Sequence, residues 1–280
     1  MNKMIFKYIW VFPLFLSFNL HAASIDELLD EALKGDHRNP AFVARDKFRH
    51  PASTLKFFGL EPGMTVVEIT PGAGWYTEIL APVTRDGGAL YVASFVITPD
   101  MPEYFRNRHK EYLKKLESRP DVYGHVKVTE FSIPDRMELA PPGSADMVLT
   151  FRNVHNWVKR ENAEEMFTMF FKALKPGGIL GVVDHRAKPG TSLQQMSDSG
   201  YVTVEHVIKL AEGAGFIFEK SSEINNNPRD TTEHPTGVWT LPPALRYCNE
   251  MNEAAEKENC IARYTEIGES DRMTLRFHKP

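Results

Sequence analysis

Seven short runs of β-branched and apolar residues recur along this chain, and stretches with helical spacing lie between most of them. That alternation restricts the possible folds more than any other feature. Residues 64–70 (MTVVEIT), 89–95 (ALYVASF), 126–131, 146–151 (DMVLTF), 179–184 (ILGVVD), 216–220 and 273–278 (MTLRFH) read as strands. After the breaker Pro71-Gly72-Ala73-Gly74, residues 75–80 resume as a helix. Residues 101–119 place Phe105, Tyr112, Leu113 and Leu116 roughly on one helical face. Met166, Met169, Phe170, Ala173 and Leu174 form a core-facing stripe that Lys175-Pro176-Gly177-Gly178 stops, and Val204, Val207, Ile208 and Ala211 mark a further helix. Strands alternating with helices of this length predict a doubly wound α/β domain over residues 24–280, its mostly parallel sheet covered on both faces. Residues 24–62 form a helical preamble, opening behind the N-cap candidate Ser24, and residues 242–270 form an insertion before the last strand.

Residues 1–23 stand apart. Lys3 and Lys7 precede the apolar run 8–18 (YIWVFPLFLSF), and the small residues Ala22, Ala23 and Ser24 follow, the layout of a secretory signal peptide cleaved near Ala22 or Ala23. The apolar run falls short of the ~20 residues that span a bilayer as a helix, although an uncleaved anchor is the alternative. The expected mature protein is periplasmic or secreted, with no stable membrane insertion. Cys248 and Cys260 are the only cysteines, and an exported location favours their pairing with each other over two free thiols. With 33 basic against 37 acidic residues the chain has no basic excess that would suit nucleic acid.

In open α/β sheets ligands bind beyond the C-terminal strand ends. The stretch from Glu68 through Thr70, Gly72 and Gly74 sits at such an end, where glycines let a ligand approach the backbone and Glu68 can face a cationic or hydroxyl-bearing ligand. A dinucleotide fingerprint is disfavoured, because Thr77 takes the third small position and Ser94 stands where a ribose-binding acid belongs. No P-loop pattern is present.

The runs 66–82 (VVEITPGAGWYTEILAP), 145–157 (ADMVLTFRNVHNW) and 174–187 (LKPGGILGVVDHRA) resemble class I S-adenosylmethionine-dependent methyltransferases. With the preamble 45–51 (RDKFRHP) and the segment 221–230 (SSEINNNPRD), the chain is similar to a bacterial group of exported methyltransferases. The resemblance implies a Rossmann-like seven-stranded sheet with its last strand antiparallel, and S-adenosylmethionine as cofactor. It places Glu68, Thr70, Gly72 and Gly74 about the methionine end, Ser94 at the ribose, Glu130, Phe131 and Ser132 near the adenine, and Arg152 and Asn153 beneath the methyl. Thr70 replaces the usual first glycine. Ser94 replaces the ribose-binding acid and with it a charge-assisted hydrogen bond worth about 1.5–3 kcal/mol.

Methyl transfer to oxygen or nitrogen calls for a base within reach. Candidates are His155 after the fourth strand, Asp184 and His185 after the fifth, and Tyr76 in the glycine turn; Arg186, Arg49 and His50 are candidates to bind the acceptor. His155, Asp184 and His185 could alternatively hold a metal, although no CxxC or HExxH pattern supports one. The expectation is methyl transfer to a small-molecule acceptor. The contrasting one is a non-catalytic exported protein that uses the scaffold to bind another small ligand.

Overall fold

The computed structural model describes residues 23–280, so the expected leader lies outside the described residues apart from its last position. Seven strands form one sheet: β1 (Thr65–Ile69), β2 (Ala89–Phe95), β3 (Lys127–Phe131), β4 (Ala145–Phe151), β5 (Leu174–His185), β6 (Ile217–Ser222) and β7 (Arg272–His278). Their order is β3-β2-β1-β4-β5-β7-β6. The first five run parallel to one another, while β7 runs antiparallel to both β5 and β6. Strand order reverses between β1 and β4, which opens a crevice at the C-terminal edge there.

Alternation along each strand supplies two cores, because successive side chains point to opposite faces. Val67, Ile69, Val148, Leu180 and Val182 pack with Phe167 and Phe170 of the helix Ala163–Ala173, and with Val207 and Ala211 of the helix Val204–Gly213. Val66, Leu90, Met147 and Leu149 face the other way, onto Leu29, Leu55, Phe58, Ile79 and Tyr112. No described helix is long and apolar enough to cross a membrane.

Three boundaries differ from expectation, each for a local reason. The helix after β1 begins at Thr77 rather than Trp75, because Trp75 is spent in the turn, its indole donating to the Phe42 carbonyl at 2.9 Å. Lys175-Pro176-Gly177-Gly178 does end the preceding helix, but it bulges out of β5 itself: Ala145 pairs with Leu174 and Met147 already with Ile179. The excursion before the last strand is also longer than residues 242–270, running from the end of β6 at Ser222 to Arg272.

The preamble folds as four helices, Ile25–Lys34, Pro40–Val43, Asp46–Arg49 and Pro51–Phe58. Ser24 and Glu27 form a reciprocal capping box at the first. The fully buried Glu78 fastens the preamble to the sheet, pairing with Lys115 and Arg38 and accepting the Asn39 amide at 3.1 Å. Glu68 is equally buried and accepts from the Thr77 hydroxyl at 2.6 Å, so it ties β1 to the helix that follows. Cys248 and Cys260 are bonded to each other, closing a 12-residue separation within the excursion.

Two outcomes follow from these ties. Burial pushes the Glu68 carboxyl up to about 7, with the Thr77 hydrogen bond opposing. A raised carboxyl binds a proton in the folded state that the unfolded chain has released, so its stabilisation is present below about pH 4.5 and lost as pH rises through about 7. Relative to Glu68→Gln, the wild type should lose roughly 3 kcal/mol of unfolding free energy across that window, measured by urea denaturation at a series of pH values. Removing the disulfide by Cys248→Ala and Cys260→Ala together should lower stability by about 2–4 kcal/mol in the same assay.

Candidate functional site

The C-terminal edge of the parallel strands gathers the polar residues, and the antiparallel direction of β7 brings its beginning to that same edge. Two adjoining cavities open there. The first, about 320 Å³, lies over the turn after β1 and is lined by Thr70, Gly72, Ser94 and Asn153, with Phe95, Met101, Phe105 and Trp157 giving it apolar walls. The second, about 440 Å³, is lined by Arg45, Arg152, His155, His185, Glu269 and Ser270, facing Trp239, Leu241 and Pro242 of the excursion. Arg108, on the helix Glu103–Ser118, lines both.

Two strand-end residues hold left-handed backbone. Thr70 has φ 50° and Arg152 φ 61°, with their amides donating to Ala93 and Val183 at 2.7 Å. A β-branched residue in that region is strained, and such strain concentrates at functional sites. Thr70 Oγ1 is buried on the wall of the first cavity without a hydrogen-bond partner among the described residues. Asn153 braces the two ends, its Nδ2 donating to the Ile69 carbonyl at 3.0 Å. Gly72 has φ 65°, and a Cβ there would come 3.2 Å from the Arg108 guanidinium.

In the second cavity Asp184 is fully buried at the end of β5 and accepts three hydrogen bonds: from the His155 amide at 3.2 Å, His155 Nδ1 at 2.9 Å and the His185 amide at 2.7 Å. A carboxylate only accepts, so the neutral His155 ring carries its proton on Nδ1, and its lone pair is then on Nε2. The His185 ring lies 5.0 Å from that of His155, with its Nδ1 against the Ser270 hydroxyl. Burial, then the neighbouring His155 and Arg152, hold His185 well below its ordinary value, so it is neutral at pH 7.

Beside the histidines, Arg45, Arg49, Arg152 and Arg272 surround the single carboxylate of Glu269, which Arg45 meets at 2.6 Å, Arg49 at 3.1 Å and Arg272 at 3.2 Å. Burial alone would raise Glu269; the arginines overcome it and hold the group at about 2. Burial drives Arg49 down to about 9, with Arg152 adding to the effect, and Arg152 down to about 10.

Several expected site residues point elsewhere. Glu68 serves the scaffold, and Gly74 is glycine because a Cβ would meet the Tyr112 ring at 2.8 Å. Phe131 is buried against Phe95, Ser132 is held in a bridge with Arg136, and Glu130 lies beside Arg136 and His109 off the cavity wall. Tyr76 stacks on Phe151 with ring centroids 3.4 Å apart; burial pushes its hydroxyl up to about 12, against the pull of Arg49, so it makes a poor base. Arg186 spends its guanidinium on Asp271 and Glu223, holding the excursion rather than an acceptor. His50 is exposed in a separate groove with Lys47 and Asn225, and Arg49 lies behind the cavity wall, over Trp75. Sequence reasoning missed Arg45, Arg108, Glu269, Ser270 and Arg272. Arg45 stood in the same RDKFRHP run as Arg49. Glu269 and Ser270 precede, and Arg272 opens, the antiparallel strand β7, whose direction alone brings them here.

The fold recurs among solved structures. The [4+2]-cyclase SpnF superposes with TM-score 0.56 at 14% identity, covering 88% of this chain and 85% of that one. Geranyl diphosphate C-methyltransferase of Streptomyces coelicolor A3(2), solved with S-adenosyl-L-homocysteine, gives 0.52 at 10% identity over 89% and 87%. Phosphoethanolamine N-methyltransferase 2 of Haemonchus contortus, in complex with S-adenosyl-L-methionine, gives 0.53 at 14% identity over 90% and 60%. No family model matches the sequence, and no curated protein matches it. At these identities the likeness is one of architecture: a Rossmann-like, seven-stranded sheet of the kind found in S-adenosylmethionine-dependent methyltransferases.

Proposed function

We propose that the protein is an S-adenosylmethionine-dependent methyltransferase acting on a small molecule outside the cytosol. The observation that carries this reading is the pair of adjoining cavities at the strand-order reversal, one over the glycine turn and the other holding a carboxylate-oriented histidine. Ligand pockets commonly measure about 300–1,000 Å³, and the first cavity falls within that range. Its residues fit a nucleoside cofactor: Thr70 Oγ1 wants a polar partner, Ser94 can bond a ribose hydroxyl, and Phe95, Ile97 and Trp157 offer faces for a base. Structural neighbours solved with that cofactor or its demethylated product support the same choice. The leader pattern and the disulfide support export.

The cofactor supplies a methyl group made electrophilic by an adjoining sulfonium. This chain's part is to place and deprotonate the acceptor. His155 Nε2 takes the proton from an acceptor hydroxyl or amine, and Asp184, bonded to Nδ1, stabilises the imidazolium that results. Neutral His185 stands close enough to contact the same acceptor. In-line displacement depends chiefly on positioning, which the strand-end residues Arg152 and Asn153 provide by their fixed backbone.

One observation favours a second reading, an exported binding protein for a different small ligand. Among the described residues the first cavity is lined by Arg108, His109 and Arg160 and by no carboxylate, whereas a sulfonium nucleoside is cationic at one end.

Calorimetric titration of the mature protein with S-adenosylhomocysteine separates the two. The methyltransferase reading predicts micromolar binding that weakens at least tenfold in Gly72→Val, whose circular dichroism confirms folding; no heat at millimolar ligand supports the second reading. Once an acceptor is found, His155→Gln should slow transfer by about 10²–10⁴-fold while leaving S-adenosylhomocysteine affinity unchanged.

A further inference from the structure

The second cavity has an imbalance that methyl transfer does not by itself explain. Three guanidinium groups, those of Arg45, Arg108 and Arg152, lie on its wall, those of Arg49 and Arg272 join the cluster through Glu269, and the carboxylates that face them are Glu269 and Asp184. Asp184 is already engaged by His155 and the His185 amide. Glu269 cannot satisfy the remainder: Nη2 of Arg45, Nη2 of Arg49 and Nε of Arg272 are buried without a hydrogen-bond partner among the described residues. Arg152 reaches the cavity wall from a strained, left-handed backbone, and its neighbours act on its guanidinium only through space. Clustered buried cations repel one another and pay for desolvation, and an unpaired buried charge is strongly unfavourable. The same arrangement disfavours the alternative use of His155, Asp184 and His185 as a metal centre. Their candidate ligand atoms lie within 4.8 Å of one another, but a divalent cation there would join an already positive cluster.

We infer that the second cavity binds the anionic head, a carboxylate or phosphate, of the methyl acceptor, with the acceptor's apolar body against Val238, Trp239 and Leu241. The identification as acceptor rests on the methyltransferase reading; the anion site itself does not. Guanidinium groups pair with carboxylate and phosphate through two parallel hydrogen bonds, which suits the orphaned Nη2 of Arg45 and the wall-lining Arg152. The apolar wall opposite gives the cavity two unlike sides, so the favoured ligand is an amphiphile such as an aryl carboxylate or a phosphate monoester rather than a bare ion. Bound by its head at Arg45 and Arg152, such a molecule lies beside the His155 and His185 rings that line the same space.

The test uses the mature protein without cofactor, titrated by calorimetry and thermal shift with inorganic phosphate, phenyl phosphate, benzoate and the neutral benzamide. Binding of phenyl phosphate or benzoate at least tenfold tighter than benzamide, and weakened at least tenfold in both Arg152→Asn and Arg45→Gln, supports the inference. Asparagine tolerates the left-handed backbone at position 152, and relief of cation repulsion should leave Arg152→Asn at least as thermostable as wild type in anion-free buffer. Equal affinity for benzamide and benzoate, or anion binding unchanged in both variants, overturns it. Repeating the titration with saturating S-adenosylhomocysteine distinguishes whose anion fills the site: retained binding supports an anionic acceptor, and loss assigns the arginines to the cofactor's own carboxylate and overturns the acceptor assignment. Absence of S-adenosylhomocysteine binding, with anion binding intact, removes the methyltransferase reading and leaves the anion site standing.

Discussion

One buried carboxylate, Glu269, holds together parts of the chain that are far apart in sequence. Arg45 and Arg49 come from the preamble, Arg152 from the end of β4, and Arg272 from the start of β7. Without a central anion these cations could not share a dry edge of the sheet, and with only one they remain in excess. The preamble is therefore fixed to the C-terminal edge of the sheet by charge as well as by the apolar packing of Leu29, Leu55 and Phe58 beneath the sheet. Glu78 repeats the device further along, drawing Arg38 and Lys115 onto the helix after β1. Stability and site chemistry draw on the same groups here, so substitutions in the arginine cluster will affect both.

The architecture was legible because it depends on periodicity. Runs of β-branched residues bounded by glycine turns, and stripes such as Met166, Met169, Phe170 and Ala173, report which elements form and which faces they bury. Of the residues singled out at or shortly beyond the C-terminal ends of the parallel strands, Thr70, Gly72, Ser94, Asn153, His155 and His185 reach a cavity wall. Neighbours at the same strand ends turn away from both cavities. Glu68 turns into the core to meet Thr77, and Arg186 turns outward to Asp271 and Glu223. Direction along a strand is set by single-residue register, which composition near a motif cannot resolve. The cluster built by Arg45, Glu269 and Arg272 was harder still, since it exists only once the antiparallel β7 and the preamble have docked.

Fold alone leaves the reaction open, as the cyclase among the structural neighbours illustrates. What narrows the choice is the division of labour between two adjoining spaces. The first combines an orphaned hydroxyl, a glycine with no Cβ and aromatic walls; the second combines a histidine whose lone pair is on Nε2, a neutral histidine and unpaired guanidinium groups. Arg108 lines both spaces and stands over Gly72. Ser94 on the wall of the first space is neutral, so it offers a ligand a hydrogen bond without the assistance of charge.

A crystal structure of the mature protein grown with S-adenosylhomocysteine tests this division most directly. The account predicts the nucleoside between Thr70, Gly72 and Ser94, with its sulfur directed toward the space that His155 and Arg152 enclose. Density for the nucleoside in any other place, or a first cavity that stays closed to it at saturating concentration, would contradict the account.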